Sequence, residues 1–229
     1  MKNIALILAR GGSKGVHKKN IRIFNNKPLI CTTIDLAKKS DLIDEVYVST
    51  ECSEIAEIAK NNGVKIIERP KLLATDESPE LDSWKHAINY LNENKIISHK
   101  IIILPVTSPL RSLSDINSAI RMLGVESDII ISITETNHNP YFNMVKVDKE
   151  GFYKLALKNN TTITRRQDTP KIYNMTTVIY VTNDKYIMKA RNLLEGKVGA
   201  IKIPPERAID IDSELDFKIA NLLMANSKK

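Results

Sequence analysis

Short runs of Ile, Val and Leu alternate with amphipathic stretches along most of the chain. Apolar runs at 4–9, 45–49, 64–67 and 100–104 are bounded by polar, turn-forming residues and predict buried strands. Helix-like patterns fill 29–39, 52–61 and 79–94. In the last of these, Leu81, Trp84, Ala87, Ile88 and Leu91 recur at three- and four-residue spacing, the signature of one apolar helix face. Repeated βα units of this length imply right-handed crossovers. The expected fold class is therefore α/β, a mainly parallel, twisted sheet with helices on both faces.

The regularity breaks between about 136 and 176, where polar, turn-rich sequence surrounds short strand-like pieces at 144–148 and 152–156. This reads as a small arm inserted into a single domain spanning 1–229, suited to dimer contact. Strand patterns return at 178–181 and 198–203. A closing helix begins near Ser213, with Leu215, Ile219, Leu222 and Leu223 on one face, and 227–229 reads as a frayed end.

Composition narrows the class only modestly. Hydrophobic residues make up 42% and charged residues 27%, as in ordinary globular proteins. The net charge of +7 fits acidic partners, but aromatics are only 5%, and none interleave with Arg or Lys as in a single-strand binder. No apolar run approaches the roughly 18 residues of a membrane span. Strand sequence starts by residue 4, which leaves no room for a signal peptide, and Cys31 and Cys52 imply no disulfide framework. A cytoplasmic protein without nucleic-acid or membrane partners is expected.

The first strand runs into Arg10-Gly11-Gly12-Ser13-Lys14-Gly15, followed by Lys18, Lys19 and Asn20. Glycines tolerate the positive φ angles that make amide nests, and the cations can add charge-assisted hydrogen bonds to phosphate oxygens. The stretch matches neither G-x-x-x-x-G-K-[ST] nor G-x-G-x-x-G. A plain βα turn with surface lysines is the alternative. Ligands of open α/β sheets lie beyond the carboxyl ends of the strands, where Arg10, Thr50, Arg69 and the 105–111 loop fall.

Near the other end, Asp210 and Asp212 sit at i and i+2, so an extended backbone can turn both carboxylates towards one Mg²⁺. The same stretch reads as a helix start, with Asp212 or Ser213 as N-cap and Asp216 closing a capping box. Thr107-Ser108-Pro109-Leu110-Arg111 offers hydroxyls and a guanidinium after a strand. Arg165-Arg166-Gln167-Asp168 in the arm can clamp a carboxylate or serve an interface.

Taken in order, ALILARGGSKG, VST, ERP-x-x-LATD, TSPLR, RRQD-x-P and AIDIDSELDF resemble the acylneuraminate cytidylyltransferase family over almost the whole chain. The resemblance implies a Rossmann-like nucleotidyltransferase fold. It also implies a Mg²⁺-dependent transfer of CMP from CTP to a nine-carbon 2-keto-3-deoxy sugar acid, ahead of glycan or flagellin decoration. By motif position, Arg10, Gly11, Ser13, Lys14, Lys19, Asn20 and Arg69 would bind the nucleotide. Asp210 and Asp212 would hold the metal, with Lys19, Asp212 and Arg10 catalytic. Ser108, Arg166, Tyr173 and Thr176 would face the sugar, Arg166 from a neighbouring subunit of a homodimer.

Two departures bear on the sugar. Sialic-acid members read Q-P-T-S-P-L-R where this chain has Pro105-Val106-Thr107-Ser108-Pro109, without the glutamine, and Thr176-Thr177-Val178-Ile179-Tyr180 replaces N-G-A-I-Y. Asn139-Pro140-Tyr141-Phe142-Asn143 together with Tyr173-Asn174-Met175 is more similar to the branch that activates legionaminic acid. Activation of an eight-carbon 3-deoxy-octulosonate and a non-catalytic nucleotide- or nucleic-acid-binding role are the competing readings.

Overall fold

In a computed structural model that describes residues 1–158 and 165–226, β1 (Lys2–Leu8) lies inside a seven-stranded sheet. Its other members are β4 (Glu45–Thr50), β5 (Lys65–Glu68), β6 (Ser98–Ile103), β7 (Ile129–Glu135), β10 (Tyr173–Thr182) and β11 (Val198–Lys202). They run in the order β11-β7-β10-β6-β1-β4-β5. All neighbours pair in parallel except β10, which is antiparallel to both β6 and β7. A mainly parallel sheet is thus what forms, with one reversed strand.

Alternation along β1 divides the core. Ala5 and Ile7 face one layer with α1 (Leu29–Lys38), α2 (Ser53–Asn61), α4 (Leu113–Met122) and α6 (Glu214–Asn226). Ile4 and Leu6 face the other with α3 (Glu80–Glu93) and α5 (Asp184–Lys189). Trp84, Ala87, Ile88 and Leu91 of α3 are buried, as their spacing predicts, and Trp84 packs on Tyr180 at 5.2 Å between ring centroids.

Other elements are not marked by the apolar pattern. Polar Ser132 and Thr134 interrupt β7. α4 starts with a capping box in which Ser112 and Asp115 exchange side-chain and backbone hydrogen bonds. A hairpin of β2 (Ile23–Phe24) and β3 (Lys27–Pro28) turns through Asn25 and Asn26, both at positive φ, as a type I′ turn requires.

β10 carries a register shift that shapes the upper edge of the sheet. Thr176 pairs with Ser132 and Tyr180 with Ile131, so 177–179 bulge out of the ladder. The Ser132 hydroxyl fills the gap, accepting from the Ile179 amide at 3.1 Å and the Thr176 hydroxyl at 2.8 Å. Because Tyr180 is level with Ile103, residues 173–176 rise past the end of β6 and pair only with β7.

Beyond this ribbon lies the arm, whose β8 (Val145–Val147) and β9 (Tyr153–Leu155) form a separate two-stranded hairpin exposed on both faces. The arm starts where expected but ends earlier, because Tyr173 to Thr176 already belong to β10. Its two ends are tied by buried Asn139, whose amide donates to Thr169 Oγ1 at 2.9 Å and to the Pro170 carbonyl at 3.1 Å. Residues 159–164 of the arm and the expected frayed end at 227–229 lie outside the described residues.

Candidate active site

The carboxyl ends of β1, β5 and β6 open onto a cleft of about 470 Å³. Arg10, Ser13, Lys14, Lys19, Asn20, Arg69 and Asp212 line it, so most of the sequence-predicted nucleotide and metal residues share one cavity. The backbone brings them there. Arg69 is buried, donating to the Ser49 hydroxyl at 3.2 Å and the Ser49 carbonyl at 2.7 Å. Asn20 is buried and closes the loop by donating to the Arg10 carbonyl at 2.8 Å.

The glycines of the loop do not act as expected. Among the described residues, positive φ in this loop belongs to Lys18, and Gly11, Gly12 and Gly15 lie outside that region. Nor is the Gly11 amide free for an anion, since it donates to Glu51 Oε1 at 2.7 Å. Gly11 lines a smaller neighbouring pocket with Cys52 and Glu54 rather than the main cleft. Close approach explains Gly15: a Cβ there would sit 1.8 Å from the Asp212 carbonyl oxygen.

That approach joins the two ends of the chain at the site. Lys19 Nζ donates to the Ile211 carbonyl and stands 3.6 Å from Asp212 Oδ1, while the Ile211 amide donates to the Thr107 carbonyl at 2.8 Å. The helix-start alternative is resolved by neighbouring side chains. The Ser213 hydroxyl accepts from the Asp216 amide at 3.3 Å, and Asp216 Oδ2 accepts from the Ser213 amide at 2.8 Å. Capping therefore falls to Ser213 and Asp216, and the Asp212 carboxylate stays exposed in the cleft.

Asp210 stands behind the cleft wall, with Oδ1 buried and without a hydrogen-bond partner. An orphaned carboxylate oxygen and, two residues on, a cleft-exposed carboxylate with Lys19 at 3.6 Å make a hard-oxygen donor set. Among the described residues no group of three or more His, Cys, Asp or Glu could hold a metal, so any Mg²⁺ would draw other ligands from water and substrate. The residues fit such an ion. Arg111, buried and bonded to the Pro105 carbonyl, is pushed down to about 9 by loss of solvent, opposed by Asp210 and Asp115.

Sequence reasoning missed several cleft residues. Asp76 pairs with Arg10 and Lys14, each at 2.7 Å, and is held below the usual carboxylate range chiefly by Lys14. Glu80 lines the cleft, where partial desolvation pushes its carboxyl up, opposed by a 3.3 Å hydrogen bond from Trp84 Nε1. Ser78 lines the cleft with a buried hydroxyl that has no partner. Acidic residues beside a phosphate cradle give no pattern that points to them.

The proposed sugar residues divide differently. Buried Ser108 touches Thr177 through a 2.7 Å hydroxyl contact, and Thr177, not Thr176, lines the cleft. Thr176 turns inward to Ser132 because of the bulge. Tyr173 lies outside this cavity under Lys202 Nζ, 5.9 Å from its ring centre. Arg166 is also outside, donating to the Thr136 carbonyl at 2.8 Å and Asn137 Oδ1 at 3.0 Å, so within one chain it secures the arm.

A family model described as "Cytidylyltransferase" matches residues 4–217. The chain is 34% identical over 224 residues to the post-translational flagellin modification protein B of Campylobacter coli, covering 96% of this chain and 94% of that one. It is 35% identical over 225 residues to the CMP-N,N'-diacetyllegionaminic acid synthase of Campylobacter jejuni, covering 97% and 94%. Among solved structures, a CMP:2-keto-3-deoxy-manno-octonic acid synthetase complexed with CTP superposes with a TM-score of 0.73 at 15% identity, covering 99% of this chain and all of that one. That last likeness is one of fold.

Proposed function

The chain belongs to the cytidylyltransferase family, and we propose that it transfers CMP from CTP to the anomeric hydroxyl of a nine-carbon 2-keto-3-deoxy sugar acid. Arg10, Lys14 and Lys19 sharing one cleft with Asp212 is the observation that carries this reading. The hydroxyl gives up its proton to solvent as its oxygen attacks the α-phosphorus, the bond from that phosphorus to the bridging oxygen breaks, and pyrophosphate departs with the electron pair.

Such a reaction asks for positioning and for positive charge where the leaving group develops its own. Arg10, Ser13 and Lys14 bind the triphosphate, and Asn20 and Arg69 the rest of the nucleotide. Lys19, held against the Ile211 carbonyl, keeps a fixed cation next to Asp212. Asp210 and Asp212 hold Mg²⁺, which when bound supplies charge neutralisation on the phosphates. Thr177 offers its hydroxyl to the sugar, while Ser108, expected to face the sugar itself, is buried behind the cleft and holds Thr177 in place. The legionaminic type is the preferred acid, supported by the name of the Campylobacter jejuni relative and by the absence of a glutamine before Val106-Thr107-Ser108.

The enzyme works as a cytoplasmic homodimer. Its arm exposes Val145, Val147, Phe152, Tyr153 and Leu155, and Met175 of β10 is exposed as well, apolar groups that pairing would remove from water. Pairing would also bring Arg166 near a neighbouring cleft. Among the described residues no helix is long and apolar enough to cross a membrane.

The test is pyrophosphate release with CTP, Mg²⁺ and a panel of legionaminic, N-acetylneuraminic and 3-deoxy-octulosonic acids. Release with a nine-carbon acid, fastest with the legionaminic type, is expected. Release only with the eight-carbon acid, or with none, overturns the proposal.

A further inference from the structure

The cations that line the phosphate end of the cleft already hold an anion. Asp76 gives one carboxylate oxygen to Arg10 Nη2 and the other to Lys14 Nζ, each at 2.7 Å. Arg10 Nη1 also donates to the Ala74 carbonyl at 3.4 Å, so the cleft-lining segment 71–79 is strapped to the glycine loop by the same side chains. Both ion pairs are solvent-accessible, with Lys14 81% and Asp76 39% exposed, the kind of contact that exchanges at little cost.

A carboxylate and a phosphate oxygen compete for these donors, because each needs the same N–H groups and like charges repel when both approach. One carboxylate neutralises only part of the pair's charge. A polyanion that offers oxygens to both cations at once replaces both contacts, whereas an orthophosphate, with less charge and reach, gains less from the exchange.

We propose that Asp76 is an internal stand-in for the nucleotide's phosphates, which displace it from Arg10 and Lys14 and free segment 71–79 as they do so. This rests on the triphosphate lying at the Arg10 and Lys14 end of the cleft, as in the function proposed above. Asp76 then lowers the affinity of any anion that must displace it, and so weakens retention of anions between turnovers.

The experiment compares the wild-type chain with Asp76→Asn, which keeps the size and removes the charge. Inorganic tripolyphosphate and orthophosphate are titrated calorimetrically without metal or sugar. Expected is a gain of about threefold to fivefold in tripolyphosphate affinity, the range for one exposed ion pair, with an equal or smaller gain for orthophosphate. Hydrogen exchange should rise across 71–79 when wild type binds tripolyphosphate, and should already be raised in ligand-free Asp76→Asn.

Unchanged or weaker anion binding in Asp76→Asn overturns the stand-in and makes Asp76 part of the scaffold. So does protection of 71–79 on binding. Failure of wild type to bind tripolyphosphate also overturns it. In that case pyrophosphate release from CTP, measured separately, still decides the transferase reading.

Discussion

The cleft and the arm manage polar and apolar groups in opposite ways. In the cleft, Arg10, Lys19, Asn20 and Arg69 each have a partner within the same chain, drawn from loops that follow different strands. In the arm, the hairpin strands Val145–Val147 and Tyr153–Leu155 are exposed throughout, and the largest buried contribution is the polar clamp at Asn139. A two-stranded hairpin is marginal in water without a packed face. The cleft side chains are partnered within one chain, whereas the arm leaves apolar side chains uncovered, the surface that the proposed dimer would bury.

The sharpest way to break the comparison is Asp212→Asn. With capping assigned to Ser213 and Asp216, the substitution should leave circular dichroism and melting unchanged while lowering pyrophosphate release by roughly 10²–10³-fold. Full activity would make Asp212 structural after all. Next in size, Val147→Asp combined with Phe152→Asp should weaken self-association by about 30-fold or more in sedimentation velocity, since each places a charge on exposed apolar surface suited to pairing. An unchanged sedimentation profile would detach the arm from dimer formation.

A smaller effect should follow Asn139→Ala. Losing both ends of its clamp costs about 1–3 kcal/mol, confined to the arm. Limited proteolysis should cut 137–172 faster while the global melting temperature barely moves. Smallest is a pH effect at the amino end of β4. Lys2, then Lys65 and Tyr47, hold the Glu45 carboxyl down to about 2 from an ordinary 4.5. Because the folded value is lowered, this stabilisation is full above pH 4.5 and disappears as pH falls towards 2. Glu45→Gln should flatten the decline of melting temperature over that range without altering turnover near neutrality.

What could be read from the chain followed the same division. β1, β4, β5 and β6 are legible because strands in a parallel sheet are buried on both faces and read as unbroken apolar runs. β7 escapes because Ser132 sits in it to staple the β10 bulge, a need set by a strand far along the chain. The same bulge explains why Thr176 and Thr177 exchange their expected roles: strict alternation fails where residues leave the ladder. Gly15 is legible as a glycine but not for its reason, the passing Asp212 carbonyl, which belongs to a segment nearly the whole chain away. Motif order predicts the members of the cleft, while hydrogen-bond partners that arise only on folding decide what each member does.

The contact between Lys19 and the Ile211 carbonyl spans 192 residues. Synthesis runs from the amino end, so the glycine loop emerges early and waits through most of elongation for the segment that fixes its lysine. A nascent chain can build β1 and its first neighbours without owning a working phosphate site. The partner of Lys19 and the Asp212 carboxylate then join the cleft in one late step, when 210–213 dock, rather than growing with length.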